Sequence, residues 1–138
     1  MKFLKPYSIF ESIEDDSQFL KNKEDIINWI RNKYLSNWEI QDDLSVNVNG
    51  GVDLFQRGLE LLPVQFGRVD GHFSVGMNRL KSLKGCPVSC ESFNCCYNRL
   101  ESLKFVPKIV NGSFDCGNNN INSFKDWQSI EIVFADIS

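Results

Sequence analysis

The chain has 138 residues, enough for one domain with a modest core. Its 18 acidic and 15 basic side chains leave a net charge of −3, which argues against nucleic acid or an anionic membrane as partner. No apolar run approaches the roughly 18 residues of a membrane span, and the opening Met1-Lys-Phe-Leu-Lys-Pro6 lacks the apolar stretch of a signal peptide, so a cytoplasmic location is expected.

Residues Met1 to Asn22 show little pattern beyond a capping box, Ser8 with Glu11, ahead of the acidic Glu14-Asp15-Asp16. Lys23 to Leu35 then reads as a helix. Ile26, Ile27, Ile30 and Tyr34 share one face, Asn22 is placed to cap the N-terminus, and Glu24 and Asp25 suit the first turn. Trp38-Glu-Ile40 and Leu44-Ser-Val46-Asn-Val48 alternate as strands around the turn Gln41-Asp42-Asp43. Asn49-Gly50 predicts a hairpin turn into Val52-Asp-Leu54. Trp29 and Trp38 fit the packing of a cap, which an open stack of strands needs at each end.

From here the chain repeats itself. Phe73-Ser-Val75-Gly-Met-Asn78-Arg-Leu80-Lys-Ser-Leu83 matches Phe93-Asn-Cys95-Cys-Tyr-Asn98-Arg-Leu100-Glu-Ser-Leu103. Both match Phe114-Asp-Cys116-Gly-Asn-Asn119-Asn-Ile121-Asn-Ser-Phe124, and the three asparagines are spaced by 20 and 21 residues. A weaker copy lies 21 residues earlier in Val52, Leu54, Leu59 and Leu62, with Arg57 in place of the asparagine. The alternating apolar residues give a strand with one buried face, and the asparagine ends it with an amide able to bond the bend. One such coil cannot bury its own apolar side, but stacked coils share a core. The period and the L-x-L-x-x-N-x-L pattern are those of a leucine-rich repeat, with one short strand and a return loop in each coil. At the C-terminal end Trp127, Ile130, Ile132 and Phe134 predict a strand that closes the stack.

The run Val52-Asp-Leu-Phe-Gln-Arg-Gly-Leu-Glu-Leu-Leu-Pro-Val-Gln-Phe-Gly-Arg-Val-Asp-Gly-His-Phe73, with Ser82-Leu-Lys-Gly-Cys-Pro87 and Asn111-Gly-Ser-Phe-Asp-Cys116, resembles a family of small leucine-rich-repeat proteins encoded mainly by tailed bacteriophages. Their repeats read G-x-F-x-C-x-x-N-x-L-x-S-L-x-G-x-P. This chain departs at Val75 (usually Cys), at Cys90, and at Phe105-Val106 in place of Gly-Cys. The resemblance implies an α+β solenoid of about four coils, with residues 1–43 as a helical and strand cap, 44–124 as repeats and 125–138 as a C-terminal cap. It also implies a partner in the infected bacterium, a host protein such as a defence or metabolic enzyme that the chain binds and inhibits. The fold itself carries no function, since such repeats serve many binding tasks.

Five cysteines invite a chemical reading. The spacing of Cys86, Cys90, Cys95 and Cys96 fits no common zinc pattern, and Cys95 and Cys116 fall in the inward column that Val75 occupies one coil earlier. Cys96, one step past Cys95, is expected to face outward as the exposed thiol, and His72 is the chain's one histidine. A thiol-dependent enzyme using Cys96 with His72 is therefore the rival reading, although no third orienting residue is evident. A structural or virion-associated protein is another. No motif implies a cofactor, a metal or a small-molecule substrate.

Binding is better placed on the outward strand positions. These run through Asp53 and Phe55, His72 and Ser74, Asn94 and Cys96, and Asp115, with Met77, Tyr97 and Asn118 just beyond at the turn. The face has no lysine or arginine, and Phe55, Met77 and Tyr97 form an apolar strip of the residue types that anchor interfaces. Arg79 and Arg99 form a basic edge one position past the asparagines.

Overall fold

The computed structural model describes residues 16–122, 131–132 and 136–137. The capping box at Ser8 and Glu11, the last apolar position Phe124, and Trp127, Ile130 and Phe134 lie outside the described residues.

Helix α1 spans Lys23–Asn32, and its start follows the expected chemistry: the Asn22 side chain accepts the N–H of Asp25 at 2.9 Å, with Glu24 and Asp25 in the first turn. Ile26 and Ile30 are buried. The helix stops earlier than its apolar pattern suggested, because Lys33 N–H already turns back to the carbonyls of Trp29 and Ile30. Tyr34 then takes a left-handed conformation (φ 61°) and is 88% exposed, rather than lying on the buried face. Leu35 packs against the core instead, as do Trp29 and Trp38.

Strands β1 (Trp38–Ile40) and β2 (Val46–Val48) form the expected antiparallel pair, Trp38 opposite Val48 and Ile40 opposite Val46. Asn49-Gly50 is not a hairpin turn. It is a corner that passes the chain from one sheet into another, held from ahead because Gly71 N–H donates to the Gly50 carbonyl. Strand β3 (Val52–Asp53) therefore begins a second sheet.

The same corner recurs in every coil. Strands β4 (Phe66–Val69), β6 (Ser89–Cys90), β8 (Ile109–Val110) and β10 (Glu131–Ile132) continue the first sheet in the order β1-β2-β4-β6-β8-β10. Strands β5 (His72–Ser74), β7 (Ser92–Asn94), β9 (Ser113–Asp115) and β11 (Asp136–Ile137) extend the second in the order β3-β5-β7-β9-β11. Every pairing except β1 with β2 is parallel. The molecule is thus a small β-solenoid of about three turns, with one helix, toward its N-terminal end, among the described residues. About three turns is fewer than the four coils expected. The return limb expected as loop carries a strand, because Val48, Val69, Cys90 and Val110 supply a second buried column. The C-terminal segment adds one strand to each sheet rather than a single closing strand.

The core is a column of side chains at every level. Phe66 meets Phe73 edge-on at 5.1 Å, Phe73 and Phe93 stack at 5.8 Å with rings 5° apart, and Phe93 meets Phe114 at 5.6 Å. Leu54, Val75 and Cys95, Leu80 and Leu100, and Leu62, Leu83 and Leu103 fill the remaining columns, all fully buried. Burying each large side chain contributes about 1.5–3 kcal/mol. Trp29 carries the aromatic column up to the helix, 6.5 Å from Phe66.

The asparagines bolt one coil to the next. Asn98 Nδ2 donates to Cys95 and Cys96 carbonyls in its own coil and to Val75 in the coil before, while its Oδ1 accepts the N–H of Leu80 at 2.9 Å. Asn78 and Asn119 repeat this arrangement, reaching Leu54 and Cys95 respectively. Buried polar groups without partners are costly, so an amide with two donors and one acceptor suits a bend that leaves carbonyls and an N–H unpaired.

Candidate functional site

The outer face of the second sheet is set by its in-register strands. Asp53, Ser74, Asn94 and Asp115 pair across β3, β5, β7 and β9 as one outward column, and His72 pairs with Ser92 in another. His72, Ser74, Ser92, Asn94, Ser113 and Asp115 line a shallow depression of about 360 Å³. The structure thus gathers the expected polar residues on one surface.

Three of them also hold the fold. Asp53, Asn94 and Asp115 each accept, through Oδ1, the backbone N–H two residues on (Phe55, Cys96 and Gly117) at 2.9–3.1 Å. These Asx turns end the strands, so the column combines a structural role with display to solvent. An Asp or Asn two residues before the expected bend was the sequence signal for it.

Beyond the Asx turns the chain becomes left-handed in every coil. Gln56, Met77, Tyr97 and Asn118 have φ of 56°, 53°, 55° and 56°. Asparagine tolerates this conformation; methionine and tyrosine are strained in it. Met77 and Tyr97 nevertheless stand 42% and 53% exposed, next to Phe55 at 38%. The Phe55 ring lies over Gly76, where a Cβ would come within 3.0 Å of it, so glycine there lets the ring approach the sheet. Phe55, Met77 and Tyr97, expected to form an apolar strip, are thus all exposed.

Cys96 does not belong to that surface. Strand alternation ends at Asn94, the Asx turn rotates the chain, and Cys96 is only 8% exposed. Burial and the neighbouring Asp115 push its thiol up from the ordinary value, the reverse of an activated nucleophile. Burial likewise raises Cys86, Cys95 and Cys116, and pushes Cys90 up to about 12. Nor are His72 and Cys96 brought together. His72 is opposite Ser92, and Cys96 lies four residues further along, beyond the turn that ends β7. Among the described residues no group of His, Cys, Asp or Glu converges as a metal site.

The basic edge is a separate surface: Arg79 pairs with Glu60 at 3.6 Å, both exposed, and Arg99 lies near Lys81, Glu101 and Asn120. Phe105 was read only as a departure from the repeat. It proves to be a further exposed aromatic in a left-handed position (φ 71°), with the ammonium groups of Lys84 and Lys104 at 5.8 and 5.1 Å from its ring.

By fold the chain is a parallel β-solenoid presenting a polar sheet face with an apolar ridge. No protein-family model matches it, and no curated protein or solved structure matches it significantly. Among the described residues no helix is long and apolar enough to cross a membrane.

Proposed function

We propose that this protein is a non-catalytic protein-binding module whose contact surface is the outer face of the second sheet, centred on Phe55, Met77 and Tyr97. One observation carries the reading: Met77 and Tyr97 occupy left-handed positions and are 42% and 53% exposed. Each leaves a large apolar surface in solvent and takes a conformation that asparagine adopts at lower cost. Strained, exposed large apolar groups beside a hydrogen-bonded sheet are what a contact surface requires. The leucine-rich-repeat identity, and with it a phage origin and an inhibited host protein in the bacterial cytoplasm, is the finer part of this proposal and rests on the repeat motif.

The test is capture from infected-cell lysate by wild-type protein and by Tyr97→Ala and Met77→Ala variants. A specific partner should be retained by the wild type, with each variant binding it about 1–2 kcal/mol more weakly at unchanged stability. A partner retained equally by all three proteins would place the contact elsewhere.

A further inference from the structure

The outward strand positions of the proposed contact face carry the carboxylates Asp53 and Asp115 and no lysine or arginine; Arg57 stands at the Asp53 end, its guanidinium on the Asp53 carbonyl. Asp53 and Asp115 end the column Asp53–Ser74–Asn94–Asp115; of the corner residues beside it, Glu91 is exposed and Asp70 is paired with Arg68 at 3.3 Å. The outward positions between are His72, Ser74, Ser92, Asn94 and Ser113. Each terminal carboxylate is already oriented, because its Oδ1 is held by the N–H of Phe55 or Gly117, which leaves Oδ2 to meet a ligand. Little ordering is needed on binding, and the apolar ridge of Phe55, Met77 and Tyr97 runs beside the column.

Spacing selects the occupant. Three strand intervals put Asp53 and Asp115 about 14 Å apart. An extended peptide advances about 3.4 Å per residue and returns to the same face every second residue, so positions i and i+4 also stand about 14 Å apart. Resting on the face proposed above, we infer that the partner contributes an extended segment laid along the solenoid axis, with lysine or arginine at i and i+4. The two cations meet Asp53 and Asp115, and their aliphatic stems lie against the apolar ridge.

Fluorescence anisotropy with the full chain tests this, using labelled Thr/Ser/Val peptides of about nine residues, long enough to cross the face. One has arginines four apart, one has arginines three apart, and one has glutamates four apart. The first should bind about tenfold more tightly than the others, and Asp53→Asn and Asp115→Asn should each weaken it several-fold. Both substitutions keep the Oδ1 acceptor, as Asn94 does, so the turns survive. Equal binding of arginine and glutamate peptides, indifference to arginine spacing, a preference unchanged in the double asparagine variant, or no binding by any of the three overturns the inference. Loss in Tyr97→Ala with none in the asparagine variants sinks the cationic segment but leaves the contact face. The opposite pattern sustains the segment and removes the apolar ridge from the interface.

Discussion

The guanidinium of Arg57 donates to the carbonyl of Asp53 at 3.2 Å, covering the free edge of β3. In every later described coil this position holds an asparagine that reaches back to the coil before it. Among the described residues the first coil has no such neighbour. A long cation replaces the short amide, and it also extends toward the carbonyl of Lys33 at the end of α1. The departure in the repeat is thus an end fitting, which satisfies an edge that would otherwise pair with another chain.

Arg57→Ala should therefore lower stability by about 0.5–1.5 kcal/mol, as for the loss of an ordinary hydrogen bond. Arg57→Asn should not restore it, because the shorter side chain has no preceding coil to bond. Urea denaturation of the three proteins checks both statements, and full recovery in Arg57→Asn would contradict the edge role.

Core and ladder should separate cleanly. Phe93→Ala should cost about 3–5 kcal/mol by opening the stacked aromatic column. Asn98→Ala should cost about 1–3 kcal/mol by leaving Leu80 N–H and three carbonyls short of a partner. Asn98→Asp should be worse than Asn98→Ala, since it keeps the acceptor for Leu80 but turns a carboxylate oxygen on the carbonyls of Val75, Cys95 and Cys96. If Asp is tolerated better than Ala in thermal melts, the donor half of the ladder is misassigned.

These inward columns were legible in the sequence because phenylalanine, leucine and asparagine recur at intervals that composition alone does not produce. The continuation of the first sheet beyond β2 was not. Strands β6 and β8 are two residues long, too short for alternation to register, and their outward residues Arg68, Ser89 and Ile109 share no chemistry. Cys96 was misplaced for a related reason: alternation holds only while the strand lasts, and Asn94 ends it. Tyr34 failed because a helical period says nothing about where the helix stops. The outer face was readable as a list of residues, but the Asx turns beneath it and the strain in Met77 and Tyr97 needed backbone geometry.

Replacing Tyr97 with asparagine should stabilise the fold while weakening partner binding. The residue keeps φ 55°, which asparagine adopts more readily, so a gain of up to about 1 kcal/mol is expected. Chemical denaturation and binding measured on the same sample would show the two effects moving in opposite directions. A destabilised Tyr97→Asn would mean that the tyrosine ring contributes packing beyond its exposure.

Alkaline pH should weaken the protein. A buried thiol whose value rises on folding keeps its proton in the native state while the unfolded chain releases it, so its stabilising effect is complete below the unfolded value and lost as pH rises through the folded one. For Cys90 that window runs from 9.0 to about 12, with a slope of up to about 1.4 kcal/mol per pH unit. Cys90→Val, which restores the residue found at Val69 and Val110, should flatten the decline above pH ~9 without loss of stability at neutral pH. Stability curves at several pH values decide it. Alkylation of the native protein should also reach Cys116, the least buried thiol, before Cys96.

The asparagine ladder has a consequence for how the chain comes apart. Asn78, Asn98 and Asn119 each tie a coil to the one before it and to nothing further away. Cohesion therefore passes from neighbour to neighbour, like rungs held only by adjacent rungs, and damage in one place is felt elsewhere in proportion to the number of joints between. Opening would begin at an end and travel inward coil by coil, with the helix-capped, arginine-closed end resisting most. The same locality makes the fold extensible. A duplicated 20- or 21-residue unit inserted after a complete repeat meets the same bonds above and below it, whereas an insertion of half that length would set inward residues against outward ones along every column that follows.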